Sequence, residues 1–237
     1  MVERNGARIR EMFGSIAPTY DLLNHVLSFS MDRYWRRLVR KRLEPRLENC
    51  NLILDLCSGT GDLAIEMAKI APVIACDFSH PMLIRGVNKV NRYQLSKQIL
   101  FVEGDALSLP FPSHIFQAAT IAFGLRNLEN YRVGLLEVAR VLQEGGHLAV
   151  LEIGIPASSI LGTFYRIYFE RFLPLLGGLV SRNLNSYRYL PESVREFPRG
   201  SDLQRLFLGA GFSKPTSLKL SGGIVELHIA RKQVINS

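Results

Sequence analysis

The stretch Asn51-Leu52-Ile53-Leu54-Asp55-Leu56-Cys57-Ser58-Gly59-Thr60-Gly61-Asp62 constrains the fold more than any other part of the chain. A short apolar run, a turn holding two glycines and a helix opened by an acidic residue make the first half of a βαβ unit. Gly59 and Gly61 admit backbone angles and close approaches that a side chain would block, and Asp62 suits the positive end of a helix. The same rhythm then repeats. Strands are expected at Asn51 to Leu56, Val73 to Asp77, Ile99 to Val102, Ile115 to Ala122 and His147 to Ile153. Helices are expected at Asp62 to Ile70, Pro81 to Tyr93 and Tyr131 to Leu142, the last closed by Gly145-Gly146. Strands apolar on both faces, alternating with helices, imply a parallel sheet covered on both sides.

The ends of the chain depart from this rhythm. Residues 1–47 read as a helical extension or lid, with helices from Arg4 to Ile16, Tyr20 to Leu27 and Asp32 to Leu43, ahead of a single α/β domain over 48–237. Ser158 to Val180 is a mostly apolar helical region within an insertion of about 158–200. A helix from Asp202 to Gly209 is closed by Gly211. Strands at Lys214 to Leu220 and Ile224 to Arg231, joined at Gly222-Gly223, form an antiparallel hairpin that brings the sheet to seven strands. A dinucleotide-binding domain would continue in parallel; a mostly parallel, Rossmann-like sheet closed by such a hairpin resembles the class I methyltransferase architecture.

Composition excludes several classes. No stretch reaches the ~18 uninterrupted apolar residues of a spanning helix, and Met1 to Arg10 lack the apolar core of a secretory signal. Cys50, Cys57 and Cys76 lack metal-ligand spacing and read as reduced thiols, which points to the cytoplasm; the five histidines give no metal site either. Lysine and arginine exceed the acidic residues by 29 to 21, and Arg33, Arg36, Arg37, Arg40, Lys41, Arg42 and Arg46 crowd one segment. With Trp35, Leu38, Val39 and Leu43 at helical spacing, that segment is a basic amphipathic helix. Its first reading is a helix docked on the core with a solvated charged face, its second a contact with a membrane surface. No nucleic-acid motif accompanies the charge.

The glycine turn alone does not name its ligand, since Gly59-Thr60-Gly61-Asp62-Leu63-Ala64 also satisfies a loose dinucleotide fingerprint. The surrounding carboxylates decide. Asp77, at the end of the next strand, stands where an acidic side chain accepts hydrogen bonds from ribose hydroxyls. Asp55 is placed to help hold a cationic amino-acid moiety, and a pyrophosphate would be repelled by Asp55 and Asp62 flanking one loop. Gly104-Asp105-Ala106 follows the third strand, where an acidic residue reads an adenine amino group. The expected cofactor is S-adenosylmethionine, contacted by Asp55, Gly59, Gly61, Asp77 and Asp105. The rival readings are a small-molecule methyltransferase with another acceptor, a nicotinamide-dependent oxidoreductase and a non-catalytic nucleic-acid module.

Further blocks carry a family resemblance: Tyr20-Asp21-Leu22-Leu23-Asn24 with Trp35; Phe123-Gly124-Leu125-Arg126-Asn127; Leu151-Glu152; Ser186-Tyr187-Arg188-Tyr189-Leu190 with Pro191-Glu192-Ser193; and Gly222-Gly223 to Leu227-His228. From about Met12 to Lys232 the chain resembles the ubiquinone/menaquinone biosynthesis C-methyltransferases, which methylate the ring of a prenylated quinol. The resemblance implies cofactor contacts at Thr60, Asp77, Asp105 and Ala106. Some members carry a serine where this chain has Ala122, and often Gly or Ala where it has Cys57 and Ser58. Arg126 and Asn127, just beyond the fourth strand, are the expected catalytic pair, with a structural ion-pair role as the alternative for Arg126. Tyr20, Asp21, Tyr187 and Arg188 are lid candidates. Phe164, Tyr168, Phe169, Phe172, Leu175 and Leu176 are expected to offer a groove for a prenyl tail. Compact length and the Tyr20 to Arg37 segment favour demethylmenaquinol over the ubiquinone precursor 2-polyprenyl-6-methoxy-1,4-benzoquinol. Such a substrate implies a cytoplasmic enzyme meeting the inner face of the membrane.

Overall fold

The computed structural model describes residues 5–156 and 184–234. Three helices come first: α1 (Gly6–Ile16), α2 (Tyr20–Leu27) and α3 (Met31–Leu43). The alternating core follows, with β1 (Ile53–Leu56), α4 (Asp62–Met67), β2 (Val73–Asp77), α5 (His80–Arg92), β3 (Ile99–Glu103), β4 (Phe116–Ala122), α6 (Tyr131–Val141) and β5 (Leu142–Ile153). The chain closes with α7 (Leu184–Glu196), α8 (Ser201–Gly209), β6 (Phe212–Leu220) and β7 (Val225–Lys232). The apolar region at 158–180, with its groove residues, lies outside the described residues.

The seven strands form one sheet in the order β3-β2-β1-β4-β5-β7-β6. Pairings from β3 through β5 are parallel, and β7 runs antiparallel to both neighbours. The C-terminal hairpin is therefore present, but its second strand slots between β5 and β6 instead of extending the edge. Strand order reverses between β1 and β4, and an open α/β sheet leaves a crevice at the carboxyl ends there.

Strand alternation feeds two cores. Leu54, Leu56, Phe116 and Ile121 face one layer with Leu135 and Val138 of α6 and Phe207 of α8. Ile53, Val73, Ala118 and Leu227 face the other with Val39 and Leu43 of α3 and Met67 of α4. Trp35 joins that second core and donates from Nε1 to Ser221 Oγ at 2.9 Å, so α3 is an integral layer of the domain. The solvated-face reading of α3 holds for Arg33, Arg37, Lys41 and Arg42, which are exposed, but not for Arg36, which is buried.

Gly145-Gly146 do not end a helix. Helix α6 passes directly into β5, where buried Leu142 already pairs with Phe116. The register slips between Phe116 and Ala118, and the two glycines lie in that slip. Gly145 has φ +73°, and a Cβ on Gly146 would come within 3.1 Å of the Gln117 carbonyl. Continuous strand pairing outcompetes the glycine stop signal because Leu142 is worth burying.

Two strand ends carry backbone strain. Cys57, just past β1, and Phe123, just past β4, adopt φ of +54° and +58°, a region non-glycine residues rarely enter. They turn the chain away from the sheet on either side of the crevice, and Gly124 lets them approach: a Cβ there would sit 2.3 Å from the Cys57 Cβ. Gly124→Ala should therefore cost about 1–3 kcal/mol and lower the melting temperature by several degrees. Gly209→Ala, where no atom lies within 4 Å of the added Cβ, should stay within about 1 kcal/mol of the parent. Thermal unfolding followed by circular dichroism measures both.

Candidate active site

The crevice beyond β1, β2 and β4 holds a cavity of about 410 Å³. Its floor is the carboxyl ends of the strands and the loops that follow them, including Leu56, Cys57, Gly59, Asp77, Phe78 and Phe123. Helix α1 covers it with Ala7, Arg10 and Phe13, and Tyr20 enters from the start of α2. Asn5 caps α1, its side chain accepting from Ala7 N at 2.9 Å.

Asp77 is an organising side chain of the cavity. One carboxylate oxygen accepts from Gly59 N at 2.8 Å and the other from Ser79 N at 2.9 Å, so the acid ties the first loop to the second. Burial pushes its carboxyl up to about 6, against those backbone hydrogen bonds and the positive charge of Arg10. The Arg10 guanidinium stacks over the Phe78 ring, 5.4 Å from its centroid. Asp105 is exposed at the rim, its side chain accepting from Leu107 N at 2.9 Å, and Ala106 is buried in the wall.

Tyr20, Phe123 and Asn127 line the same cavity, with Tyr20 beside Gly59 and within reach of the Asp77 charge. Asn127 Nδ2 donates to the Phe123 carbonyl at 3.3 Å, and its Oδ1 accepts from the Tyr189 hydroxyl at 3.1 Å. Burial raises the Tyr20 phenol above its ordinary value, opposed by a hydrogen bond with Asn24 and by the charges of Arg36 and Arg126. Arg126 lies behind this wall. It is buried, its Nη1 is 2.9 Å from Glu152 Oε2, and its backbone N–H donates to Glu152 Oε1 at 3.1 Å. Nη1 also donates to the Phe123 carbonyl, while Nε has no hydrogen-bond partner.

Of the residues expected from sequence, Gly59, Asp77, Asp105, Ala106 and Asn127 line one cavity. Asp55, Thr60, Gly61 and Arg126 stand behind its walls. Asp55 accepts from Thr120 Oγ1 at 2.8 Å, its other oxygen has no partner, and burial pushes its carboxyl up to about 7. Thr60 donates to Asp21 and accepts from Lys89 Nζ at 2.8 Å. Lys89 also bridges Asp21 at 2.6 Å and Asp62 at 2.7 Å, so α2 is latched to the loop and to α5. Arg36 completes the network by pairing with Asp32 and, at 3.5 Å, with Asp62. His25, Asp32 and Asp62 lie close enough to hold a cation, but the Arg36 guanidinium already supplies the positive charge between the two acids.

Sequence reasoning missed Arg10, Phe13, Phe78 and Phe123 as cavity residues. Phe78, directly after Asp77, and Phe123, directly after Ala122, each carried the local signal of a strand's end. Tyr187 and Arg188 belong to α7, and their side chains lie outside the described residues. The cysteines are free thiols. His228 is buried against Ser217 and held neutral, its imidazole pushed down to about 4 by burial.

The cavity fits a nucleoside-sized cation. Its volume lies in the range of small-molecule sites, it carries acidic groups, and Phe78, Met82, Leu107 and Leu128 supply an apolar lining. Gly59, at φ +55°, leaves space where a Cβ would lie 3.7 Å from the Tyr20 ring.

Sheet order, antiparallel β7 and this acidic crevice define a class I S-adenosylmethionine-dependent methyltransferase. Solved structures share the fold: a putative S-adenosylmethionine-dependent methyltransferase of Methanococcus maripaludis aligns with a TM-score of 0.63 at 19% identity over 92% of each chain. The [4+2]-cyclase SpnF aligns at 0.69 and 16% identity over 95% of each. More narrowly, the chain belongs to the ubiE/COQ5 methyltransferase family, whose model matches residues 1–232. A demethylmenaquinone methyltransferase of Thermus thermophilus is 46% identical over 92% of this chain and 98% of its own. A ubiquinone/menaquinone biosynthesis C-methyltransferase of Geotalea uraniireducens is 38% identical over 96% and 97%.

Two carboxyls raised by burial set a pH dependence of stability. Asp55 and Asp77 hold protons in the folded protein that the unfolded chain releases near pH 3.8. Stability of the unliganded protein should therefore fall as pH rises from about 4 through about 7. Asp32 and Asp62, held below the ordinary range, work the other way and lose their contribution as pH drops through their folded values. Asp55→Asn, an isostere of the protonated acid, should come within about 1 kcal/mol of the parent near pH 4 and exceed it by roughly 4 kcal/mol at pH 8. Urea titrations at both pH values decide this; equal stability at pH 8 would contradict it.

Proposed function

We propose that the protein methylates the ring carbon of a prenylated quinol, with demethylmenaquinol as acceptor and menaquinol as product. The observation that carries this is the part of the cavity wall where Tyr20, Phe123 and Asn127 face the cavity, with the buried Arg126–Glu152 pair outside the lining. The names of the relatives support the same reading. Those covering both quinone pathways keep the ubiquinone precursor as the second acceptor to test.

Asp77 and Asp105, with Ala106 and the Gly59 loop, would hold the cofactor; Asp55, Thr60 and Gly61 shape that loop from behind. When bound, S-adenosylmethionine supplies an electrophilic methyl group on a sulfonium. The chain must make the acceptor carbon nucleophilic: the neighbouring ring hydroxyl passes its proton to a water, the ring carbon takes the methyl as the sulfonium C–S bond breaks, and that carbon then loses its own hydrogen as a proton, which restores the aromatic ring. Arg126 is a poor base, since a guanidinium stays charged. Glu152 balances that charge and fixes its orientation, and from behind the wall the guanidinium acts through its positive potential, which favours a phenolate in the cavity without touching it. Asn127, steadied by Tyr189 and the Phe123 carbonyl, orients the ring. Tyr20 keeps its proton and serves as a hydrogen-bond donor. The apolar lining excludes water, which favours a step that neutralises charge.

Residues 1–47 act in this reading as the lid, with α1 opening and Asp21 holding α2 to the loop. The enzyme works in the cytoplasm and meets the inner face of the membrane, where its acceptor resides.

Incubation with labelled S-adenosylmethionine and either reduced demethylmenaquinol or the demethylated ubiquinol precursor tests the acceptor; label in neither lipid would refute it. Arg126→Ala leaves Glu152 buried without its partner, a loss of about 3–5 kcal/mol. The neutral pair Arg126→Gln with Glu152→Gln is therefore the better probe. It should fold and bind S-adenosylhomocysteine normally while turnover falls at least about 100-fold. Asp77→Asn should instead weaken S-adenosylhomocysteine binding about tenfold, a loss of one charge-assisted hydrogen bond, seen by calorimetry.

A further inference from the structure

The turn between α2 and α3 presents an exposed apolar tip. Val26 is 57% exposed, Leu22 59%, Tyr34 51% and Met31 38%. Leu22 and Val26 are one helical turn apart and share a face of α2, whereas Leu23 and Leu27 on another face pack with Val194 and Leu190. Phe29 and Ser30 then reverse the chain at φ of +51° and +59°, which sets Phe29 at the apex. Beside this tip, Arg33, Arg37 and Lys41 repeat every four residues along α3. All three are exposed, and none makes an ion pair with a described residue. The buried face of the same helix holds Asp32, Trp35, Arg36, Val39 and Leu43.

We infer that this tip docks on an anionic phospholipid bilayer, the aliphatic and aromatic side chains entering the headgroup boundary while the basic stripe meets the phosphates. Charge complementarity selects this occupant. A second copy of the chain would bring an identical cationic stripe against the first, and a nucleic acid would leave Leu22, Val26 and Met31 against a polyanion. No helix among the described residues is long and apolar enough to cross a membrane, so the contact is made from one side. The tip also lies on the route to the site, because α2 begins at Tyr20 in the cavity wall and reaches Val26 less than two turns later. A quinol ring in the cavity with its prenyl chain in the bilayer would span that distance. This last step rests on the proposed acceptor; the docking surface does not.

The full-length protein is sedimented with vesicles of phosphatidylcholine, or of phosphatidylcholine with phosphatidylglycerol, at low and high salt. The parent should bind the anionic vesicles with a salt-sensitive partition coefficient. Val26→Ser with Met31→Ser should lower it at least tenfold, and Arg33→Gln with Arg37→Gln should remove the preference for phosphatidylglycerol. Unchanged S-adenosylhomocysteine binding certifies the fold of both variants. With long-chain demethylmenaquinol in vesicles the Val26/Met31 variant should lose turnover, and with a short-chain, water-soluble quinol it should keep it. A parent that ignores anionic vesicles, or variants that bind them as the parent does, overturns the docking surface. So does self-association of the parent that the Val26/Met31 change abolishes without lipid, or tighter binding to duplex nucleic acid than to vesicles. If vesicle binding behaves as expected but neither quinol is methylated, the acceptor assignment fails and the docking surface stands.

Discussion

The site depends on a partly buried charge network that joins four helices to one loop. Arg36, inside the domain on α3, pairs with Asp32 on its own helix and with Asp62 at the start of α4. Lys89 of α5 pairs with Asp62 and Asp21, and Thr60 sits between Asp21 and Lys89. Burying ions is costly, and such a network adds little net stability compared with apolar packing. What it supplies is position. Once these charges are largely out of water, moving any partner leaves another uncompensated, so α2 and α3 have one low-energy seat on the glycine loop. Tyr20 and the α2–α3 tip inherit their places from that seat.

The crevice follows from strain held in place by packing. Left-handed backbone at Cys57 and Phe123 is unfavourable locally. It persists because Leu56 and Ile121 anchor the preceding strands in the core, and because Gly124 gives Cys57 room. The two segments thereby diverge around a cavity lined by acids, an amide and a phenol, with a buried arginine outside the lining. Burial raises Asp55 and Asp77 toward neutrality, and a bound sulfonium would pull a neighbouring carboxyl back toward its ionised form. Cofactor charge and carboxylate charge are thus complementary by construction.

Much of this was legible in the residues. All the described strands and helices except α7 lie within a few residues of the positions their apolar periodicity implies, because each buries a face that composition alone marks; α7 was not expected from the sequence as a separate helix. Asp77 could be placed from its position at a strand's end after the glycine loop. Asp55 could not be placed as finely: its register on β1 turns it toward Thr120, away from the cavity lining. Gly145-Gly146 misled for a related reason, since a local stop signal cannot report that Leu142 has a strand partner waiting in Phe116. The arginines of α3 looked alike, yet Arg36 falls on the face that meets Asp62 while Arg33 and Arg37 meet solvent.

The sequence by itself determined the parallel sheet, its closing hairpin, the glycine loop and the class of cofactor, since periodicity, turn chemistry and charge near a strand's end are local properties. Only the tertiary structure decided that α1 covers the cavity, that Arg126 stands behind Asn127 tied to Glu152, and which basic residues are buried. It also decided that Val26, Phe29 and Met31 form one exposed tip. Those facts depend on which faces meet across the fold, and an amphipathic helix announces that it has a buried face without saying what it will be buried against.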